Sequence, residues 1–196
     1  SDLHGQFGHH PMDCDALSAC RMFAKKLQHL SRERVRDEFL KILQVRNPAM
    51  VCKQMHNEQI LKHILPEATN LDRLSILQCI ETKVRRGNNQ KPDAIRNLAA
   101  LLTANKNDVA AAADRLKLSN LQKKRLKELT CTEKFINKNL SEIDQRQMIR
   151  HLGGERVRDL ALLSWANELH IGSQRSRFTE EEYTQIIKRC EEWVVP

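Results

Sequence analysis

The sequence predicts an all-α protein. Only six glycines and five prolines interrupt the 196 residues, and aromatic residues make up 4%. No stretch alternates apolar and polar side chains with the period of two that a half-buried strand requires. Leu, Ala, Lys, Arg and Glu are plentiful, and these residues favour helix. Because the predicted helices are short and closely linked, we expect an irregular helical bundle.

Capping residues and prolines define the elements of the first half. The pattern predicts one helix over about residues 13–29 and a second over residues 31–45, which Ser31 caps. Pro48 suits the first turn of a third helix, and two short helices follow. The clearest loop spans residues 84–93, where Gly, Asn and Pro favour turns. In the second helix we expect three apolar side chains to be buried: Val35, Phe39 and Ile42.

The second half carries equally local signals. A helix is predicted over residues 92–103, Asp108 is the expected cap of an Ala-rich helix, and Ser119 caps the next. An amphipathic helix over residues 155–170 begins after a Gly-Gly pair. The helices on either side of it start at capping boxes, in which side-chain and backbone groups bond reciprocally: Ser141 with Asp144, and Thr179 with Glu182.

The charge balance favours polyanionic partners. The formal net charge is +8, and Lys and Arg that neutralise phosphates release bound counterions. RNA, DNA and acidic membrane surfaces all meet this condition, and charge alone does not choose among them. The densest basic cluster surrounds the turn at Ser119, where a helix N-terminus offers N–H donors to phosphate. Its members, for which a solvated helix face is the alternative reading, are Lys117, Lys123, Lys124, Arg125 and Lys127.

Metal-binding and disulfide patterns are absent from the sequence. The six cysteines are widely spaced without a CxxC pair, so we expect reduced and mostly buried thiols. The spacing of His4, His9, His10 and Cys14 fits no zinc pattern. Asp13-Cys14-Asp15 follows no glycine-rich turn and is read as a helix start. No signal peptide or apolar run of about 20 residues is visible, which predicts a cytoplasmic protein.

One segment resembles a known family. Residues 30–43 resemble the ERxxxExxKLL element in the helical neck of class II tRNA nucleotidyltransferases and bacterial poly(A) polymerases. The matching residues are Glu33, Arg34, Glu38, Lys41 and Leu43, with Ile42 at the first Leu position. Other segments are similar to further parts of the family, especially its alphaproteobacterial members: Gly5 to Cys20, Asn47 to Glu67, Leu116 to Asn120, and Glu155 to Trp165.

The resemblance implies a division of the chain and a function. Residues 1–46 would be the C-terminal part of the neck, and residues 47–196 a helical RNA-binding body without its tail. The implied function is tRNA binding in tRNA 3′-end maturation by a CCA-adding enzyme. The same region of a poly(A) polymerase, or a helical module that binds protein, remains an alternative.

Catalysis in this family belongs to a head domain, whose paired carboxylates hold Mg²⁺ for phosphoryl transfer from ATP and CTP. Neither that carboxylate pair nor the EDxxR element that selects the base is found here. We therefore expect no catalytic or metal-binding residues, no cofactor in this chain and no activity without a separate or missing head. CCA addition and poly(A) addition remain undistinguished.

The expected RNA-contacting residues lie on the motif helix, on the long loop and in the basic cluster. Arg175, Arg177 and Lys91 are secondary candidates, and Trp165 is read as a core residue because leucines flank it. The candidate RNA-binding residues are Arg34, Arg36, Lys41, Arg85, Arg86, Lys117, Lys123, Lys124 and Lys127; among them the loop residues Arg85 and Arg86 are secondary, like Lys91.

Overall fold

The computed structural model describes residues 14–27, 29–84, 92–103, 105–130, 140–172 and 178–193. All regular structure in these ranges is helical, which confirms the predicted fold class. The helices there are α1 Cys14–Leu27, α2 Arg32–Ile42, α3 Pro48–Asn57, α4 Leu61–Ile64, α5 Leu71–Val84, α6 Ala94–Leu101, α7 Lys106–Arg115, α8 Asn120–Thr130, α9 Glu142–Leu152, α10 Gly154–Ile171 and α11 Glu180–Glu192.

The motif helix α2 follows the predicted pattern with a shorter C-terminal end. The Ser31 hydroxyl accepts a hydrogen bond from the Arg34 N–H, as expected of a cap. Phe39 and Ile42 are buried, whereas Val35 is half-buried. The helix ends at Ile42 and not at residue 45, because the chain tightens into three-residue turns before Pro48, which disfavours helix in the residue before it.

Most predicted caps are confirmed, and one is wrong. Both capping boxes form, at Ser141 and at Thr179. The cap of α7 is Asn105, whose side chain accepts from the Asn107 N–H at 2.9 Å. Asp108 lies inside the first turn instead, where its carboxylate accepts a hydrogen bond of 2.8 Å from the Thr103 hydroxyl.

Helix α10 is the centre of the bundle. It packs against α5, α6, α9 and α11, and every residue from 159 to 166 is buried. The sequence predicted an amphipathic helix with one exposed face, and this prediction is wrong for the middle of α10, because neighbouring helices cover it on nearly all sides. Trp165 is a core residue, as predicted, and its ring stacks on that of Tyr183 with centroids 5.4 Å apart.

The close approach of α10 and α11 depends on a glycine. Gly153 has φ +85° and ends α9. A Cβ added to Gly154 would lie 2.5 Å from the Cys190 carbonyl oxygen, which is closer than side-chain carbons approach other atoms. Only glycine at position 154 lets the start of α10 lie against the end of α11.

An arginine closes the end of the fully buried helix α6. The Arg73 guanidinium, on α5, donates to the carbonyl oxygens of Ala100 at 2.7 Å and Ala99 at 2.8 Å, and also to Leu102. These are carbonyls that a helix end leaves without intrahelical partners. Burial lowers the pKa of Arg73 to about 10, so the guanidinium remains charged at neutral pH.

The cysteines whose side chains the structure describes are free thiols, as expected. Cys20, Cys52 and Cys190 are buried and Cys79 is exposed. Burial raises the pKa of Cys52 and of Cys190 to about 12. These two therefore behave as small apolar side chains. No helix within the described ranges is both long and apolar enough to cross a membrane.

Candidate nucleic-acid interface

The motif helix presents its basic residues on two sides. Arg34 and Lys41 are exposed, and Lys41 pairs with Glu38 at 2.8 Å. Arg34 has no ion-pair partner among the residues that the structure describes. Arg36 is half-buried and faces the turn between α7 and α8. Charged side chains of α2 therefore divide between solvent and contacts with the α7–α8 turn.

The turn between α7 and α8 is built around Lys117. Its φ of +47° is unusual for a residue with a side chain. The Lys117 N–H donates to the Asp114 carbonyl and the Leu118 N–H to the Ala113 carbonyl, both at 3.0 Å. This pair of bonds is a Schellman motif, which commonly ends a helix with one left-handed residue.

The left-handed turn joins the motif helix to the basic cluster. Arg36 Nη1 donates to the Lys117 carbonyl oxygen at 2.7 Å, and Lys117 Nζ lies 2.6 Å from Glu33 Oε1. We call these three residues the α2–α8 junction. The hydrogen bond from Lys117 lowers the pKa of Glu33 to about 2, and the Glu33 backbone N–H adds to the effect.

Helix α8 carries three lysines. Lys124 and Lys127 are exposed and have no ion-pair partner within the described part of the chain. Lys123 contacts Asp114 at 2.6 Å. We call Lys123, Lys124 and Lys127 the α8 lysines. The predicted cap at Ser119 is confirmed, but its own N–H bonds to Gln122 Oε1 at 3.0 Å, so one of the donors expected for phosphate is already used.

Arg125 does not belong to the exposed cluster in which the sequence placed it. Its Nη2 lies 2.8 Å from Asp93 Oδ2 and 2.7 Å from Asp159 Oδ2. Asp159 also accepts from Arg96 at 2.6 Å, and Arg96 contacts Glu81 at 2.6 Å. Burial of Asp93 opposes its ionisation, but the hydrogen bond from the Arg96 N–H and the charge of Arg125 outweigh it and lower its pKa.

This network of ion pairs attaches α8 to the core of the bundle. It links α8 through Arg125 to the start of α6 and to α10. Arg96 and Asp159 have side chains that are only 3% and 1% exposed, so their charges depend on each other. The α8 lysines therefore lie on a helix that the half-buried Arg125 ties to this buried pair.

A groove of about 300 Å³ lies between α2, α6 and α8. Lys41 and Arg125 line it opposite the carboxylates of Asp37 and Asp93. The Gln44 and Gln122 carboxamides, which also line it, can both donate and accept hydrogen bonds. Sequence reasoning missed Gln44 and Gln122 because they are uncharged. Their positions beside the motif helix and the Ser119 turn were the only available signal.

The predicted RNA contacts thus fall into three groups. Arg36 and Lys117 contact each other in the α2–α8 junction. Arg34, Lys41, Lys124 and Lys127 are exposed on the helices that this junction connects, whereas Lys123 is half-buried and paired with Asp114. Arg85, Arg86 and Lys91 lie outside the described residues, as do Arg175 and Arg177. Within the described ranges, no group of three or more His, Cys, Asp or Glu residues could hold a metal ion; the cofactor prediction stays a prediction.

A comparison with family models gives the finding that bears most directly on this surface. Residues 12–71 match the family described as the probable RNA and SrmB-binding site of polymerase A. The match supports the family region that the ERxxxExxKLL resemblance indicates, and it supports RNA as a partner. It includes Arg34, Arg36 and Lys41 and leaves the α8 lysines outside. No curated protein matches the chain at a significant level.

Proposed function

We propose that this chain is the tRNA-binding helical portion of a CCA-adding tRNA nucleotidyltransferase. The observation that carries the proposal is the match of residues 12–71 to an RNA-binding family model. The net charge of +8 supports it. The resemblance of the motif helix and of later segments to tRNA nucleotidyltransferases favours tRNA over other RNA.

The α2–α8 junction gives this proposal a physical mechanism. Arg34 and Lys41 on α2 and the α8 lysines contact phosphates, and such contacts position RNA without reading its sequence. Double-helical RNA is recognised mainly by shape and backbone. Because Arg36 and Lys117 fix the two helices relative to each other, the phosphate contacts keep a constant spacing along the acceptor arm.

The same proposal assigns a role to each part of the chain. Residues 1–46 act as the neck and residues 47–196 as the body that grips the RNA. Mg²⁺, ATP and CTP are bound by a catalytic head, and nucleotide addition requires that head. The cytoplasm, where tRNA matures in bacteria, is the proposed location.

Competition binding tests the proposal. A fluorescent tRNA bound to the protein should be displaced by unlabelled tRNA at a concentration several-fold lower than by duplex DNA of equal charge. Removing the 3′ end of the competitor tRNA should change little, because the phosphate contacts lie on the helical arm. Equal displacement by DNA and tRNA would show only a general affinity for polyanions and would contradict the proposal.

A second candidate is a protein-binding module. The matched family is described as binding SrmB as well as RNA, which favours this alternative over an enzyme. A segment that binds protein alone would leave tRNA unbound at low salt, where phosphate contacts are strongest. The same binding experiment therefore separates the two candidates. The corresponding region of a poly(A) polymerase would bind tRNA no better than an unstructured RNA of similar length.

A further inference from the structure

A second concave surface lies between the end of α3, the short helix α4 and the start of α5. The chain reverses after α3 because Gln59 adopts φ +61°. The Ile60 N–H donates to the Met55 carbonyl at 2.8 Å, which closes the same kind of left-handed turn as at Lys117. This turn places α4 across the end of α3. The resulting α3–α5 cleft has a volume of about 590 Å³.

The α3–α5 cleft has an apolar floor and a basic rim. Pro66 is exposed and Leu71 is half-buried, and these two residues supply accessible apolar surface to the floor. Lys53, His56 and Lys62 are exposed and line the rim. The described residues offer Lys62 no ion-pair partner. An apolar floor beside two lysines is an unusual combination for a surface that only faces water.

The acidic residue at the rim does not neutralise the cleft. Lys53 Nζ lies 3.5 Å from Asp72 Oδ1, and the two side chains are 51% and 74% exposed. An ion pair with this exposure contributes little, because water and salt screen it. A phosphate with higher charge density can therefore take the place of the Asp72 carboxylate beside Lys53.

The size and chemistry of the cleft select its occupant. Clefts of roughly 300–1,000 Å³ suit a single small ligand, so this one is too small for a double helix. Bases of unpaired RNA lie on apolar or aromatic surfaces while the backbone follows positive charge. The cleft lining, except Asp72, falls within residues 12–71, the segment that matches an RNA-binding family.

We infer that the α3–α5 cleft binds one unpaired nucleotide of RNA. The phosphate lies between Lys53 and Lys62, and the base lies on the floor formed by Pro66 and Leu71, with His56 at its edge. This inference rests on the proposed RNA-binding function. It adds a contact for single-stranded RNA to the backbone contacts of α2 and α8.

Paired charge-neutral substitutions test the inference. The cleft variant K53Q/K62Q removes two positive charges, and the control K106Q/K188Q removes two from exposed positions on α7 and α11. Binding is measured with a labelled single-stranded oligoribonucleotide and with a blunt RNA duplex of the same length. The cleft variant should bind the single strand about tenfold more weakly, with a salt slope lower by about 0.7 because one phosphate contact is lost. Its affinity for the duplex should equal that of the control.

A gain in binding is expected from the opposite change. Asp72→Asn keeps the side-chain size but removes the negative charge next to Lys53, so the single strand should bind several-fold more tightly. This variant keeps the test decisive if K53Q/K62Q folds poorly. Equal single-strand affinity of wild type, K53Q/K62Q and D72N would overturn the inference, and so would a loss of equal size on single strand and duplex.

The failure of this inference is distinct from the failure of the proposed function. If the wild-type protein binds tRNA but the cleft variants behave as the wild type, only the cleft assignment is wrong. If the wild-type protein binds neither tRNA nor the oligoribonucleotide at low salt, the proposed function and the inference are both wrong.

Discussion

The Arg36 guanidinium donates a 2.7 Å hydrogen bond to the carbonyl oxygen of Lys117, which lies 81 residues later in the chain. The Lys117 ammonium in turn contacts Glu33 of α2 at 2.6 Å. Two residues that the sequence marked as separate RNA contacts thus form one structural unit. They hold α2 against the α7–α8 turn, and the proposed phosphate contacts belong to Arg34, Lys41 and the α8 lysines.

The α2–α8 junction makes a prediction about the Glu33 carboxyl group. Its pKa of about 2 depends first on the hydrogen bond from Lys117. Lys117→Met keeps the length of the side chain and the left-handed backbone but removes the donor. The pKa of Glu33, measured by NMR of its carboxyl carbon, should rise towards its ordinary value of 4.5. The Glu38 carboxyl, which is paired with Lys41, serves as the internal control.

The sign of the pH effect follows from the lowered pKa. The contribution of the Glu33–Lys117 pair is fully present above the ordinary value of 4.5 and is lost as the pH falls towards 2. Acid should therefore loosen the junction over this window. An unchanged Glu33 titration in Lys117→Met would show that the ammonium does not hold the carboxylate.

Burial should determine the cost of breaking an ion pair. Arg96–Asp159 and Lys123–Asp114 have the same separation of 2.6 Å. Asp159→Asn leaves the buried Arg96 guanidinium and the half-buried Arg125 guanidinium with one fewer carboxylate, so the free energy of unfolding should fall by about 3–5 kcal/mol. Asp114→Asn at the exposed pair should change it by less than about 1 kcal/mol. Urea denaturation of both variants provides the measurement, and equal losses would contradict the importance of burial.

The contact between α10 and α11 should not tolerate a methyl group at Gly154. In Gly154→Ala the new Cβ would meet the Cys190 carbonyl oxygen at 2.5 Å, so the backbone of α11 must move. We expect a loss of about 1–3 kcal/mol, as for other overpacked sites. Glu155→Ala, at the exposed next position of the same helix, is the control. The measurement is thermal unfolding, and equal melting temperatures of the two variants would refute the close packing.

Local sequence signals predicted the helices well because caps act over a few residues. Ser31, Ser141 and Thr179 each bond to backbone groups three residues away, so their role can be read without the fold. The error at Asp108 arose between two adequate capping residues. The helix begins at Lys106, so Asn105 is its cap. The Asp108 carboxylate accepts from the Thr103 hydroxyl instead, which is a contact that spacing alone does not reveal.

The functional surface was less predictable because it depends on distant partners. Arg125 belongs to a basic run in the sequence, but Asp93 and Asp159 draw it inward. The same applies to α10, whose polar positions include the buried Asp159. Lys53 and Lys62 form no run in the sequence, and only the turn at Gln59 brings them to one cleft.

The chain alone should not add nucleotides to RNA. Phosphoryl transfer in the resembled family requires a carboxylate pair that holds metal ions, and the sequence contains neither this pair nor the base-selecting EDxxR element. Incubation with tRNA lacking its 3′ end, Mg²⁺, ATP and CTP should leave the RNA unextended on a sequencing gel. Protein-dependent extension would show that a catalytic centre lies within these 196 residues.

The salt dependence of tRNA binding tests the central claim most directly. The affinity of the wild-type protein should fall about tenfold or more between roughly 50 and 200 mM salt. Substituting Ala for the three α8 lysines should lower the slope of log affinity against log salt by about 2, since Lys123 is already engaged by Asp114. The control that replaces Lys83, Lys106 and Lys188 loses the same charge and should keep the wild-type slope. Absence of tRNA binding at low salt, or equal slopes for the α8 variant and the wild type, would contradict the account.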